Sequence, residues 1–160
     1  MTRFWRDALS ATIAAGFMAI ALPVPGALAS VAPTEGAWTI DQKVAVQFFD
    51  CHPKLCGRLA WMKTPRNAQG QFKLDKHNPD PTLQARRMCG PTIIWNLQAD
   101  GPNRWEDGWF YNPDDGETYN VAVERKTDGA MEARIYAGLP VLGTTKSLYQ
   151  VPKGTSAGWC

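Results

Sequence analysis

Four runs of this sequence alternate apolar and polar residues with a period of two, and that pattern limits the fold more than any other feature. Residues 43–49 place Val44, Val46 and Phe48 on one face and Lys43, Ala45 and Gln47 on the other. Residues 55–62 put Leu55, Gly57, Leu59 and Trp61 on one side, with Arg58 opposite. Within 118–125, Tyr119, Val121 and Val123 share a face, and within 131–137 so do Met131, Ala133 and Ile135. Neighbouring side chains of a strand point to opposite faces, so each run reads as a strand with one buried side. Extended runs are also expected at 36–40, 92–97, 105–111 and 144–151, making about eight short strands. Their connections are hairpin-sized, with turn chemistry at Asp100-Gly101-Pro102, Asn112-Pro113-Asp114-Asp115-Gly116 and Thr127-Asp128-Gly129. No strand–helix–strand alternation and no internal repeat is present. An antiparallel meander of this size removes its edges by closing into a single all-β up-and-down barrel. An open sandwich is the alternative that the same pattern permits.

One stretch breaks the pattern. Residues 74–90 read LDKHNPDPTLQARRMCG. Two prolines lack donors and push their predecessors towards extended geometry, so Asn78-Pro79-Asp80-Pro81 does not form a central strand. Asp80 before Pro81 fits a helix start, an N-cap carboxylate followed by proline at the first helical position. A short helix of about two turns is therefore expected over 82–88, ended by Gly90 and Pro91.

The N-terminus reads as an export signal over residues 1–29. Arg3 and Arg6 precede an uncharged apolar run at 8–22, too short for a comfortable membrane span, and Ala27-Leu28-Ala29 fits a cleavage site. A single domain is then expected over 30–160, with 15 basic and 14 acidic residues. Near-neutral charge without a concentrated basic face argues against nucleic acid as a partner. An oxidising compartment favours disulfides over thiolate metal sites. Four cysteines allow three pairings. The short turn-like loop favours Cys51 with Cys56, which leaves Cys89 with Cys160. His52 and His77 beside these cysteines do not amount to a metal site, and no metal or cofactor is expected.

Over nearly the whole stretch from Gly36 to Val151 the chain resembles the domain-of-unknown-function 2147 (DUF2147) family of bacterial exported proteins. The resemblance rests on Gly36-Ala37-Trp38, on Cys51 with Leu55-Cys56-Gly57 and Trp61, and on Leu74-Asp75, Asn78-Pro79-Asp80, Leu83, Arg86 and Gly90. It continues through Trp105, Gly108, Tyr111, Pro113, Asp115-Gly116 and Tyr119 to Arg134 and Gly143. It implies a small lipocalin-like or streptavidin-like barrel whose Gly-x-Trp tryptophan plugs one end, and it carries no established activity. Arg87, Cys89, Thr144 and Leu148 depart from the residues usual in the family.

Asn78, Asp80 and Arg86 are candidates for a polar cluster at a barrel mouth; turn and cap bonds, with Arg86 tied to a carboxylate such as Asp75, are the favoured account of them. Trp105, Tyr111 and Tyr119 are candidates to line a ligand cavity, with core packing as the competing role. No Gly-x-Ser-x-Gly motif is present, and catalysis would need Asp75, Asp80 or Glu106 to converge with Arg86 or a histidine. The expectation is a non-enzymatic periplasmic barrel of a Gram-negative bacterium that binds a small, partly apolar molecule or lipid, with no membrane span once the signal is removed. A filled barrel serving as an envelope interaction module, with a protein partner, is the second reading.

Overall fold

In the computed structural model the described residues are 36–151 and Cys160; the expected export signal lies outside them. Eight strands follow one another: β1 (Ala37–Ile40), β2 (Val44–Asp50), β3 (Leu55–Met62), β4 (Thr92–Ala99), β5 (Arg104–Asn112), β6 (Glu117–Arg125), β7 (Met131–Tyr136) and β8 (Thr144–Gln150). Each pairs antiparallel with its neighbour in sequence, and β8 returns to β1 with Trp38 opposite Gln150 and Ile40 opposite Leu148. The sheet therefore closes into an up-and-down barrel. The open-sandwich alternative is ruled out by that last pairing.

The alternating runs face as their periodicity demands. Val46, Val121, Val123, Met131 and Leu148 project inward and are at most 1 % exposed. Two glycines mark how tightly the interior is filled. A methyl group on Gly57 would stand 2.8 Å from Val46 Cγ1, and one on Gly108 would stand 2.6 Å from Leu97 Cδ2. Interiors packed to this density leave no room for an added carbon without moving a neighbour. Asn96 and Asp107 help to set up the second contact. Both have positive φ, and the Asn96 amide donates to Asp107 O at 3.0 Å, between the Trp95–Trp109 and Gln98–Glu106 pairs.

One residue faces the other way from expectation. Val46 pairs with Leu59 but Ala45 pairs with Trp61, so Ala60 is an extra residue in β3. This bulge resets the alternation: Trp61 joins the outer face beside Ala45, and Met62 turns inward instead.

The two ends of the barrel differ. Connections 51–54, 100–103 and 126–130 lie at one end, and 41–43, 63–91, 113–116 and 137–143 at the other. At the first, Trp38 is 1 % exposed and the Arg125 guanidinium carbon lies 5.6 Å from its ring centroid. Tryptophan under a cation closes that end. At the second, inward-facing Ile40, Val44, Phe110 and Ile135 are only half-buried.

Residues 63–91 form the long excursion, and its expected two-turn helix is a single 3-10 turn, Pro81–Leu83. The start signal acts as read: Asp80 caps the turn and accepts from Thr82 N at 2.9 Å. The continuation fails because the chain finds a better partner for its backbone. Asp75 N–H donates to Arg86 O at 3.0 Å and Met88 N–H to Lys73 O at 2.9 Å, with Leu74 bridged to Arg87. Residues 86–88 thus return alongside 73–75 as an extended pair rather than coiling. The Arg66 and Arg87 guanidinium groups stack on Phe72 at 3.8 and 4.0 Å from its centroid. Cys51 is bonded to Cys56 within the β2–β3 hairpin, Cα atoms 5.8 Å apart. Cys89 is bonded to Cys160, Cα atoms 5.4 Å apart, and Cys160 N–H donates to Ala60 O on β3.

Candidate functional site

Two places hold most of the candidate residues, and they lie on opposite faces of β5. The first is built around Asp75, which is 1 % exposed. Its Oδ1 accepts from the Tyr111 hydroxyl at 2.6 Å. Its Oδ2 accepts from Asn78 Nδ2 at 2.8 Å and from Arg86 Nε at 2.9 Å, with Arg86 Nη2 also at 2.8 Å. Burial pushes the carboxyl up, but the bonds from Tyr111, Asn78 and Arg86 and the Arg86 charge outweigh it and hold the group below 3.8. Tyr111 responds in the opposite sense: burial, then the bond to Asp75 and its charge, raise the phenol to about 12.

Asn78 is turned to meet Asp75 by its own turn. Its Oδ1 accepts from Asp80 N at 2.9 Å, and its backbone oxygen accepts from Gln84 Nε2 at 2.9 Å. Asp80 itself is exposed and bonds Thr82 through both the backbone and the hydroxyl, which holds its carboxyl below the usual value. On the barrel side, Gly116 lies so close under His77 that a side chain there would strike the His77 carbonyl oxygen. The excursion is thereby fastened to the end of β5 and to the β5–β6 turn. Both oxygens of Asp75 are committed to this fastening, and Arg86, its cation, holds Oδ2 through Nε and Nη2. The chemistry is that of a brace.

A native phenolate titration checks this arrangement. A raised pKa means the Tyr111–Asp75 bond contributes fully below pH 10 and is lost as pH climbs through about 12. One phenol is expected to resist ionisation to that point in the wild type, and Tyr111→Phe to remove it from the absorbance curve. A phenol that still resists ionisation up to about 12 in Tyr111→Phe would assign the shift to another residue.

The second place is the half-open mouth. Cross-strand partners fix its facing residues: Phe110 pairs with Tyr119 and with Ile94, and Ile40 pairs with Val44 and Leu148. Lys146, two residues before Leu148, shares that inner face, and its Nζ lies 3.0 Å from Asp41 Oδ2 at the rim. The Tyr119 hydroxyl donates to Asp115 Oδ2 at 3.0 Å, a bond that raises the phenol. Asp115 is also held by Asn112 Nδ2 at 2.7 Å and by Glu117 N at 2.9 Å; burial pushes its carboxyl up, but these bonds win and lower it.

The six candidate residues therefore separate. Asn78, Arg86 and Tyr111 meet at Asp75 outside the wall, with Asp80 one turn away. Tyr119 stands on the inner face at the mouth. Trp105 is 5 % exposed and pairs with Val123 and Ala99 towards the closed end. Val44 and Ile135 are set inward by the phase of their runs, but the sequence marks neither them nor Ile40, Phe110 and Lys146 as a site. Among the described residues no three His, Cys, Asp or Glu side chains are placed to hold a metal ion, and no helix is long and apolar enough to cross a membrane.

An eight-stranded closed meander with one plugged and one half-open end defines a lipocalin-like barrel. A solved structure described as "Protein HP1028 from the human pathogen Helicobacter pylori belongs to the lipocalin family" is similar to it, with a TM-score of 0.61 at 26% identity over 74% of this chain and 82% of that one. Residues 36–149 match the family described as "Uncharacterized protein conserved in bacteria (DUF2147)", and the chain belongs to that family. No curated protein matches the chain.

Proposed function

We propose that this protein is an exported, periplasmic binding protein that takes a small, partly apolar molecule at the mouth of its barrel, without catalysing a reaction. One observation carries the reading: the inner wall is sealed around Trp38 at one end, yet Ile40, Val44, Phe110 and Ile135 remain half-buried at the other. Apolar side chains left partly wet around an opening are what a small-molecule site offers, and Tyr119 and Lys146 add polar groups to orient a ligand. The tight packing at Gly57 and Gly108 bounds the depth, so the ligand sits above that level and not along the whole axis. The same packing favours the second reading, a filled structural or interaction module of the envelope. Catalysis finds no support in the commitment of Arg86 and Asp75 to each other.

The experiment is recovery of the native protein followed by native mass spectrometry, with binding titrations against fatty acids, lipids and aromatic small molecules. A small bound species, and a saturable response that Phe110→Ala weakens by about tenfold, are expected for loss of a ring at such a site. A protein that carries nothing and responds to none of the panel leaves the filled module as the function.

A further inference from the structure

The outer wall carries a row of aromatic side chains beside a recess. Trp95 pairs with Trp109, Trp109 with Asn120 and Asn120 with Tyr136, so these four residues of β4 to β7 stand side by side on one face. Their chain neighbours Ile94, Phe110, Val121 and Ile135 point the other way, into the barrel. Trp109 is 41% exposed, while Trp95, Asn120 and Tyr136 are half-buried. The Asn120 amide, the Trp109 indole N–H and the Tyr136 hydroxyl bond to nothing among the described residues. Next to the row lies a recess of about 270 Å³, lined by Glu106, Ala122, Arg134, Tyr136 and Pro140 among others. Pairing explains why it exists. The β5–β6 register shifts between Trp105 and Gly108, so Glu106 and Asp107 together stand opposite Ala122, whose partner on the other side is Arg134. A bulge of this kind bends its strand, and the Ala122 methyl is too short to fill the gap. Arg134 holds the far wall upright by donating to Pro140 O, Val141 O and Thr145 Oγ1, each at 2.9 Å.

We propose that this stretch of outer wall binds an uncharged oligosaccharide, with one sugar ring in the recess over Ala122 and its neighbour along the row between Trp109 and Tyr136. Three features select that ligand. A sugar ring joins an apolar face of C–H bonds to a rim of hydroxyls. The electron-rich face of an aromatic ring receives the slightly positive C–H bonds. Trp109 and Tyr136 are two strands apart, about 10 Å, and so flank a ring laid over Asn120. The recess then answers the hydroxyls, with the Glu106 carboxylate on one side, the Arg134 guanidinium on the other and the Asn120 amide at its edge. Charge is the second feature. Each charged side chain of the lining is already bonded: Glu106 to Arg104, Glu124 and Glu132 to Lys126 at 3.1 and 3.0 Å, and Arg134 to the oxygens named above. An ionic ligand has to displace one of these bonds, whereas a hydroxyl adds to the lone pairs and N–H groups that remain. An acyl chain would bury the same groups without partners. Size is the third. The recess falls short of the roughly 300–1,000 Å³ of sites that enclose a whole ligand, so it takes one ring and leaves the rest on the wall. The wall and the mouth lie on opposite faces of the sheet, and the two sites are independent.

The test is isothermal titration of the full protein, recovered from an expressing bacterium, with cellotetraose, maltotetraose and N-acetylated chitotetraose. Saturable binding of at least one of them is expected. Trp109→Ala removes the stacking ring and Ala122→Phe fills the recess. Each is expected to weaken binding by at least about tenfold, with a thermal melt close to that of the wild type because both positions face outward. Trp109→Phe keeps a flat ring and is expected to retain most of the affinity. Failure of the wild type to bind any of the three overturns the proposal and leaves the reading of the mouth standing. Unchanged binding in either variant, once its melt shows it folded, also overturns it, because the sugar would then sit elsewhere on the barrel. A wild type that binds no sugar but loses a concentration-dependent mass on Trp109→Ala would instead assign the wall to contact between two copies.

Discussion

Asp75→Ala is expected to destabilise the fold by about 3–5 kcal/mol, the usual cost of removing one partner from a buried charged pair. The carboxylate is 1 % exposed and accepts from Tyr111, Asn78 and Arg86 together. Alanine leaves the Tyr111 hydroxyl and the Asn78 amide without their acceptor inside the protein, and leaves Arg86 without its counter-charge. For a barrel of this size the midpoint of thermal unfolding should fall by more than about 10 °C. The pH dependence gives a second reading of the same contact. Because the folded pKa is depressed, the contribution is present above the ordinary value of 3.8 and is lost as pH falls through the folded value. Denaturant melts of the two proteins should therefore differ by a constant amount near neutrality and draw together in stronger acid. A gap below about 1 kcal/mol at neutral pH would mean that the brace adds little to the barrel.

Gly116→Ala is the second large effect. The residue has φ +79, where a side chain strains the backbone, and it lies directly beneath the His77 carbonyl. Left-handed geometry and the steric clash together predict a loss of roughly 2–4 kcal/mol. The damage should be local. The hairpin of β5 and β6 has its own ladder, so the excursion at 63–91 should lift away before the barrel opens. Amide exchange is the direct measure: faster exchange at Asp75, Asn78 and Met88, with Val121 and Val123 still protected, is the expected pattern. Uniform loss of protection would show that the excursion and the barrel form a single cooperative unit.

Comparison of chain and fold shows which physical signals are local. The period-two runs carried the strands because burial on one face is written in consecutive residues, as Val121 and Val123 show. Trp61 was misplaced because a bulge depends on how two strands pair, and nothing at Ala60 announces it. The Asp80 cap was legible because capping is decided within three residues. The helix beyond it was not, since residues 86–88 bond to 73–75 and only the folded chain offers that choice. At the brace, an Arg86–Asp75 tie could be read from motif chemistry. Tyr111, 36 residues away from Asp75, could not be placed there from spacing. The mouth was hidden for a related reason: it is formed by the ends of strands distant in sequence, each of which looks ordinary alone.

The closing of β8 on β1 has a consequence for the order in which this molecule can assemble. Six residues supply the β1–β8 pairing, and Val151 N–H adds a bond to Ala37 O at 2.8 Å. Six of the other seven neighbouring pairs are joined by short connections and can zip from a turn, and β3 meets β4 across residues 63–91, whereas this seam joins segments more than a hundred residues apart, with the greatest loss of chain entropy. Six hairpins are thus available early, and the ring is finished late. Until the last strand reaches the first, the growing wall keeps two naked edges that can recruit a foreign strand, so the interval before closure is when this polypeptide is most exposed to self-association.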